Sequence, residues 1–473
     1  MAFKTVSYQQ QRELEPLSID GGPSEEALPP QPERPSAKRV LVGATIMAVC
    51  VVTLAAMIAS TGSSTLLAKS KSSKPHTGDY CASAAKYTKE NLKSLIDKPV
   101  AALLQSKDLK GQRKFEASDV LLKDGHYYAI CDSSWSILKV REDLPTLSVA
   151  NYHIGDPVDF DPTSESGFEG IFEDATTGDM FVVRESVDLS GFADGDDDSG
   201  DDDGGDDASR RMVRARRQLG LAAVTDDPSY HALVMQVNID EDSEAFSVVD
   251  ACPSEKEFDG DSKGFEGALS IRGADGVLYF LGLCEGNHCK EGKEGQDKGN
   301  GKVVVMARMD STSGDDGEGV PGFDCYWKTV ATLDLPSDAD FQDYSAISLH
   351  RDTMHVAVTS QENSQVWVGK LEGGQDGQFD PAAAFFHEGG KVYDFPRNSN
   401  CEVQYCNVEG VYWVEGGSSG AGDDDDDDDD DDKDDLGGPP QVLVAVSDKM
   451  KGKGKQPYTC LEKDQSFHLF AIP

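Results

Sequence analysis

The stretch Gly167-Phe168-Glu169-Gly170-Ile171-Phe172, followed after a short polar turn by Met180-Phe181-Val182-Val183-Arg184-Glu185-Ser186, decides the fold of this chain. It reads as two short apolar strands joined by a tight turn. The wording returns as Gly264-Phe265-Glu266-Gly267-Ala268-Leu269, a turn at Gly273-Ala274-Asp275-Gly276, then Leu278-Tyr279-Phe280-Leu281 and Cys284-Glu285-Gly286. Looser copies stand at Phe115-Glu116-Ala117-Ser118 before Tyr127–Asp132, at Tyr344-Ser345-Ala346-Ile347 before Met354–Val358, and at Val408-Glu409-Gly410-Val411 before Val442–Asp448. Five units of one supersecondary element are therefore visible.

Outer strands follow the inner pairs. Good examples are Ala232–Val237 with Phe246–Val249, Val303–Ala307 with Thr329–Leu333, and Gln365–Gly369. Four short strands per unit, repeated about an axis, predict an all-β fold, a five-bladed β-propeller, or six-bladed if one degenerate unit is counted. The last strand, Phe467–Ala471, leaves its blade one outer strand short. The segment near Val100–Leu104, within a stretch from Tyr87 that is otherwise helical or mixed, is expected to complete that blade and so join both ends of the chain.

Ahead of the repeats the composition changes three times. Residues 1–39 are polar, rich in Pro, Glu and Gln, and read as a disordered cytoplasmic tail. Residues 40–60 run VLVGATIMAVCVVTLAAMIAS without a charge. At ~1.5 Å per residue that length crosses ~30 Å of hydrocarbon, so a single retained transmembrane helix is expected in preference to a cleaved signal peptide. Residues 61–86 form a Ser/Lys-rich stalk, and the propeller occupies 87–473 with acidic insertions at 188–228 and 415–440.

With 86 Asp and Glu against 44 Lys and Arg, the formal charge is −42, concentrated in Asp196–Asp207 and the unbroken run Asp423–Asp432. Nucleic acid is excluded as a partner, because a phosphate polymer would be repelled. The basic cluster Arg214, Arg216 and Arg217 lies in the first insertion, with the spacing accepted by subtilisin-like processing proteases. Ten cysteines are present; nine follow the apolar segment, so an oxidising compartment allows up to four disulfides and one free thiol. Local bridges are expected where Cys284 and Cys289, and Cys401 and Cys406, share one spacing. The cysteines and the anchor together place the C-terminal domain outside the cell or in the secretory lumen.

In such a fold the start of the inner strand and the end of its antiparallel neighbour lie at one mouth of the axis. The inner-strand starts give Glu116, Glu169, Glu266, Tyr344 and Glu409; the second-strand ends give Asp132, Glu185, Glu285, Gln361 and Asp448. So many carboxylates in one place repel each other unless protonated, paired or bound to a cation, and hard oxygen donors suit Ca²⁺ or Mg²⁺. Candidate calcium ligands are Glu116, Glu169, Glu185, Glu266, Glu285, Glu409 and Asp448. The competing role is structural, with the glutamates accepting backbone N–H bonds from the next blade or pairing with Arg184. No Gly-x-Ser-x-Gly, His-Glu-x-x-His or phosphate-cradling motif is present, and no residue is assigned to catalysis.

Phe168-Glu169-Gly170-Ile171, Thr177-Gly178, Met180–Val183 and Glu185 resemble the repeat of bacterial SdiA-regulated and phytase-like esterase propellers. The resemblance implies a propeller with metal at its axial mouth, carried onto Glu169, Glu185, Glu266 and Glu285. The expected function is a membrane-anchored module that binds a divalent cation and a protein or glycan partner at its funnel face. The alternative is a calcium-dependent hydrolase of phosphate esters or lactones, with Glu169 or Glu266 as base.

Overall fold

The computed structural model describes residues 90–105, 115–155, 166–190, 228–260, 264–290, 292–311, 320, 323–374, 378–414, 442–449, 451 and 457–473. The tail, the apolar segment 40–60, the stalk, nearly all of the insertion 188–228 with Arg214, Arg216 and Arg217, and the acidic insertion 415–440 lie outside them. Among the described residues no helix is long and apolar enough to cross a membrane.

The described chain is nearly all β. It opens with β1 (Lys93–Pro99) and the single-turn helix Val100–Leu103. An antiparallel meander follows: β2 (Ala117–Lys123), β3 (His126–Cys131), β4 (Ser134–Arg141) and β5 (Tyr152–Ile154). A second is β6 (Phe168–Glu173), β7 (Met180–Asp188), β8 (Tyr230–Asp240) and β9 (Ala245–Phe258); a third is β10 (Phe265–Arg272), β11 (Leu278–Cys284), β12 (Lys302–Asp310) and β13 (Cys325–Asp334). Next come β14 (Ala346–His350), β15 (His355–Ser360) and β16 (Gln365–Glu372), with β17 (Phe385–Phe386) and β18 (Lys391–Asp394) both on β16. The last group is β19 (Val408–Val414), β20 (Val442–Ser447) and β21 (Ser466–Ala471), completed by β1.

By continuous pairing these strands form four sheets, because the second and third meanders meet edge to edge into one of eight strands. That joint is narrow: β13 and β9 pair in parallel only at Trp327 and Ser254, beside the disulfide Cys252–Cys325. The first strands of the meanders, β2, β6, β10, β14 and β19, touch in succession, and β19 touches β2 again. Their side chains line one narrow axial space of about 20 Å³. The arrangement is propeller-like.

Why the repeat needs Glu-Gly follows from this crowding. A Cβ on Gly170 would stand 2.6 Å from that of Ala268, one on Gly267 would stand 2.8 Å from the Ile347 nitrogen, and one on Gly410 would stand 2.7 Å from the Asp119 Cα. Glycine is required where neighbouring backbones approach so closely. In the first meander Asp119 takes the glycine's place, and its carboxylate accepts from Ile171 N–H at 3.0 Å on the adjacent strand and from Val120 N–H at 2.8 Å. Alternate side chains point between sheets and build the core. Phe172 stacks on Phe181 and Phe280 at 4.9 and 5.2 Å between the second and third meanders.

The strand that completes the last meander is β1, paired antiparallel to β21, and not Val100–Leu104, which turns into the short helix and Leu104. Both ends of the chain thus share one sheet, as the sequence implied, seven residues earlier than expected. A polar clasp fixes the joint. His468 on β21 bonds Asp97 on β1 through Nδ1 at 2.7 Å and Ser447 on β20 through Nε2 at 3.0 Å. Lys463 Nζ and the Tyr405 hydroxyl also donate to Asp97, at 2.6 and 3.1 Å. The order Asp–His–Ser resembles a nucleophile triad, but Ser447 and His468 are fully buried, so the group closes the ring.

Among the described residues three disulfides are present, Cys252–Cys325, Cys284–Cys289 and Cys406–Cys460. The local bridge at Cys284 forms as expected. The one expected between Cys401 and Cys406 does not: Cys406 reaches across to Cys460, packed beside the clasp, and Cys401 is bonded elsewhere. Among the described residues Cys131 is a free, buried thiol.

Candidate functional site

Strand register sets which side chains reach the mouth. In β6, β10 and β19 the pairing skips one residue, between Phe168 and Gly170, Phe265 and Gly267, and Val408 and Gly410. The skipped residues are Glu169, Glu266 and Glu409. A bulge of this kind leaves a residue unpaired and re-aims its side chain. In β2 the skip falls between Ala117 and Asp119, so the equivalent of these glutamates is Ser118 and not Glu116. In the fourth unit Ala346 pairs with Thr359 and Ser345 N–H donates to the Thr359 carbonyl, which puts Ser345 in the glutamate's position. Tyr344 therefore does not line the mouth; it is buried in the core, with its hydroxyl donating to the Ala339 carbonyl at 2.7 Å.

Glu116 stands two places before Ser118, in the position held by Gly167, Gly264, Asn407 and Asp343 in the other units. One main-chain bond marks it in four of the five units: Asp132, Glu185, Glu285 and Asp448 N–H donate to the carbonyls of Glu116, Gly167, Gly264 and Asn407. Asp343 is the residue that sequence reading missed. The tyrosine after it resembles the Phe of Phe-Glu-Gly, and the shift by one became visible only through the alternation of Ala346, Ile347 and Ser348. Burial pushes the Asp343 carboxyl up to about 6, against hydrogen bonds from Ser360 Oγ and Glu362 N–H.

The acidic residues divide into two groups joined by Glu169. On one side Glu185, Glu266 and Glu285 each bring a carboxylate oxygen within 4.8 Å of the others. On the other, Glu409 is half-buried; its carboxyl is pushed far up by desolvation and by Asp448, with Lys451 opposing and Asp132 and Asp343 adding to the rise. Asp132, Asp448 and Glu116 likewise raise the Cys131 thiol, after burial. Glu169 is 8% exposed, and burial, then Glu266, Glu185, Glu409 and Asp132, push its carboxyl well above the ordinary range. Six of the seven candidate ligands thus feel one another directly or through Glu169. Glu116 acts on Cys131 together with Asp132 and Asp448.

Among the described residues counter-charges are few. Lys451 Nζ donates to Gln361 Oε1 at 3.1 Å and lowers the Glu409 carboxyl. Arg184 follows Val183 toward the same end, but its Nε donates to the Ser166 carbonyl at 2.8 Å and its guanidinium lies 5.1 Å over the Trp135 ring, and burial pushes it down to about 10. Another acid–sulfur group, Asp250 with Cys252 and Cys325, offers no metal site, since those two sulfurs are bonded to each other.

Hard carboxylate oxygens on adjacent strands, held by bulges, suit a cation that takes oxygen ligands at ~2.3–2.6 Å. A zinc site is disfavoured by the absence of imidazole and thiolate among these three carboxylates. The insertion Gly286–Gly301, on the same side, is pinned by Cys284–Cys289 and by Asn287, whose amide donates to the carbonyls of Asp297 and Gln342.

No family model matches the chain, and no curated protein matches it. Solved structures do. A family 43 β-1,3-galactosidase matches at 10% identity and a TM-score of 0.34, over 80% of this chain and 60% of its own. A protein described as an oxidoreductase (glucose dehydrogenase), from Thermus thermophilus, matches at 12% and 0.32, over 80% and 100%. The β-propeller domain of Cps50 (Swd1) from Myceliophthora thermophila matches at 7% and 0.27, over 76% and 98%. The chain spans about 60% of the galactosidase's length. These likenesses are propeller-like at low identity, and their scores carry no argument about chemistry.

Proposed function

We propose that the protein is a five-bladed β-propeller that binds a hard divalent cation, Ca²⁺, at the acidic mouth of its axis, and presents that mouth to a protein or glycan partner. The observation that carries this reading is the convergence of Glu185, Glu266 and Glu285 within 4.8 Å, with the buried Glu169 beside them. A cation there offsets a repulsion that otherwise forces protonation. The five meanders with touching first strands support the blade count, and the repeat wording keeps its resemblance to SdiA-regulated and phytase-like propellers. The apolar segment 40–60 anchors the chain, with the disulfide-bearing domain on the oxidising side.

Calorimetric titration of Ca²⁺ into the detergent-solubilised full chain tests the reading. The aspartate tracts give weak, many-site binding in any case; the mouth adds a saturable site of defined stoichiometry, lost in the Glu185→Gln/Glu266→Gln/Glu285→Gln variant. Identical isotherms for both proteins would overturn it.

A hydrolase of phosphate esters or lactones is favoured by one observation, the raised carboxyl of Glu169 next to the ligand group, a perturbation of the kind expected of a catalytic base. Turnover of a phosphoester or lactone that needs both Ca²⁺ and Glu169 would support it over simple binding.

A further inference from the structure

The far end of the axis has a chemistry of its own. The inner strands end there, and four of them wall a cavity of about 670 Å³: Lys123 from β2, Glu173 from β6, His350 from β14 and Tyr412 from β19 stand around it. Arg351, the first residue after β14, lines this cavity, the narrow axial space that meets it and a neighbouring cavity of about 390 Å³.

Arg351 is half-buried and makes no ion pair among the described residues. Its Nη1 donates to the Ser270 carbonyl at 3.0 Å; its Nη2 donates to the Glu173 carbonyl at 3.0 Å and meets Ser270 Oγ at 3.3 Å. A guanidinium carries five N–H donors in a planar fork, so these contacts orient it and leave donors unspent. These partners are two carbonyls and one hydroxyl, all neutral. The carboxylate of Glu173, in the same wall, is already engaged, accepting from Lys123 Nζ at 2.8 Å. Asp124 and Glu142 also line the cavity but are exposed at its rim, where water screens them. Deeper in, where the effective dielectric is lower, Arg351 is a cation held without an ion-pair partner among the described residues.

We propose that this cavity is a second binding site, for a small polyhydroxylated carboxylate such as a sugar acid. The carboxylate takes the open side of the Arg351 fork, the geometry in which arginine binds anions best. The wall is mixed rather than apolar: Tyr412 and Leu349 offer a face for the C–H surface of a ring, and Lys123, Asp124 and Glu142 offer donors and acceptors for hydroxyls. The volume falls in the range of small-molecule sites, which are usually preformed. The proposal is separate from the acidic mouth, since no residue of Glu185, Glu266 and Glu285 lines this cavity.

Titration of D-glucuronate and D-glucose into the full chain in EDTA, followed by ligand-detected NMR or calorimetry, tests the proposal free of any cation at the mouth. Saturable glucuronate binding is expected, with glucose at least tenfold weaker and with Arg351→Gln losing at least tenfold for glucuronate while glucose stays unchanged. Absent saturable glucuronate binding, equal affinity for the two sugars, or an undiminished affinity in Arg351→Gln would each overturn it. Because Arg351 also holds two carbonyls, Arg351→Lys serves where the glutamine variant does not fold: it keeps the charge, loses the fork, and should bind glucuronate several-fold more weakly. Undiminished binding in that variant overturns the proposal equally.

Discussion

Glu169 and Glu266 occupy the same bulged position on adjacent inner strands, and after burial it is Glu266 that contributes most to raising the Glu169 carboxyl. The repeat itself creates this conflict. Each Glu-Gly lets the next backbone approach, through the glycine, and the approach brings the next glutamate too. A site made by repetition therefore concentrates like charge by geometry, and the native state tolerates it by keeping a proton or taking a cation.

The first consequence is a pH dependence. Glu169 and Glu409 have folded pKa values above the unfolded value near 4.5, so the native state holds protons that the unfolded chain has released. Their contribution to stability is fully present below that value and is lost as pH rises through the folded pKa. His468 works the other way, since burial pushes its pKa below 6.5 against the pull of Asp97, and its effect is complete by pH 6.5. Above roughly pH 6.5 the carboxyls are left to decide. In EDTA the melting temperature should fall over that range, and in millimolar Ca²⁺ the fall should disappear. A metal-free profile that is flat or rising would contradict the account.

Glu169→Gln separates stability from function. The amide keeps the shape and removes the charge, so the metal-free variant should melt on the order of 1–3 °C higher than the parent at pH 8. Its calcium affinity should drop about tenfold. Calorimetry and thermal melting on the same samples check both. A variant that is less stable without metal would favour the structural role, in which the glutamate accepts backbone bonds from its neighbour.

How far the sequence revealed this depends on the strength of the local pattern. Phe168-Glu169-Gly170 and Phe265-Glu266-Gly267 placed two meanders correctly, because aromatic, acid and glycine each answer a separate constraint of strand, bulge and close approach. Ser118 and Ser345 were hidden, since a hydroxyl carries no charge signature and flanking residues imitate the motif: Phe115-Glu116 and Tyr344 drew the register one or two places away. Asp343 was lost for the same reason. The partner of Cys406 was beyond reach of spacing, because Cys460 is brought to it by the closing strands β20 and β21. The face of the axis holding Arg351 had no motif at all. Its residues come from four strand ends distant in sequence.

Gly267→Ala probes the axial packing directly. The added methyl would meet the Ile347 nitrogen at 2.8 Å and the Ala346 Cα at 3.0 Å, both backbone of the next inner strand, which cannot swing aside. Overpacking of this kind costs about 1–3 kcal/mol, and the rigid ring places this site at the upper end. Gly276→Ala is the control: its turn has φ +79° but nothing within 4 Å, so only backbone strain of about 1 kcal/mol applies. Denaturant unfolding should rank Gly267→Ala as the more damaging. Equal effects would mean that the inner strands are looser than their spacing implies.

The clasp at Asp97 predicts that closure of the ring is acid-labile and depends on one carboxylate. Burial works to raise the Asp97 carboxyl, but hydrogen bonds and charge from His468 and Lys463 overcome it and hold it well below the usual carboxylate range. A lowered folded pKa means that the stabilisation is present above the unfolded value near 3.8 and is lost as pH falls through the folded one. Asp97→Asn keeps the size but removes the negative charge and one of the two acceptor oxygens that His468 and Lys463 share, a loss of about 3 kcal/mol by comparison with other broken buried pairs. Ser447→Ala should cost only about 1 kcal/mol, since Asp97 still orients His468. Because β1 is held by β21 on one edge, the damage in Asp97→Asn should appear as early hydrogen exchange in residues 93–99, ahead of the inner strands. Uniform loss of protection across all sheets would show instead that the ring opens as a single cooperative unit, with no weak point at its seam.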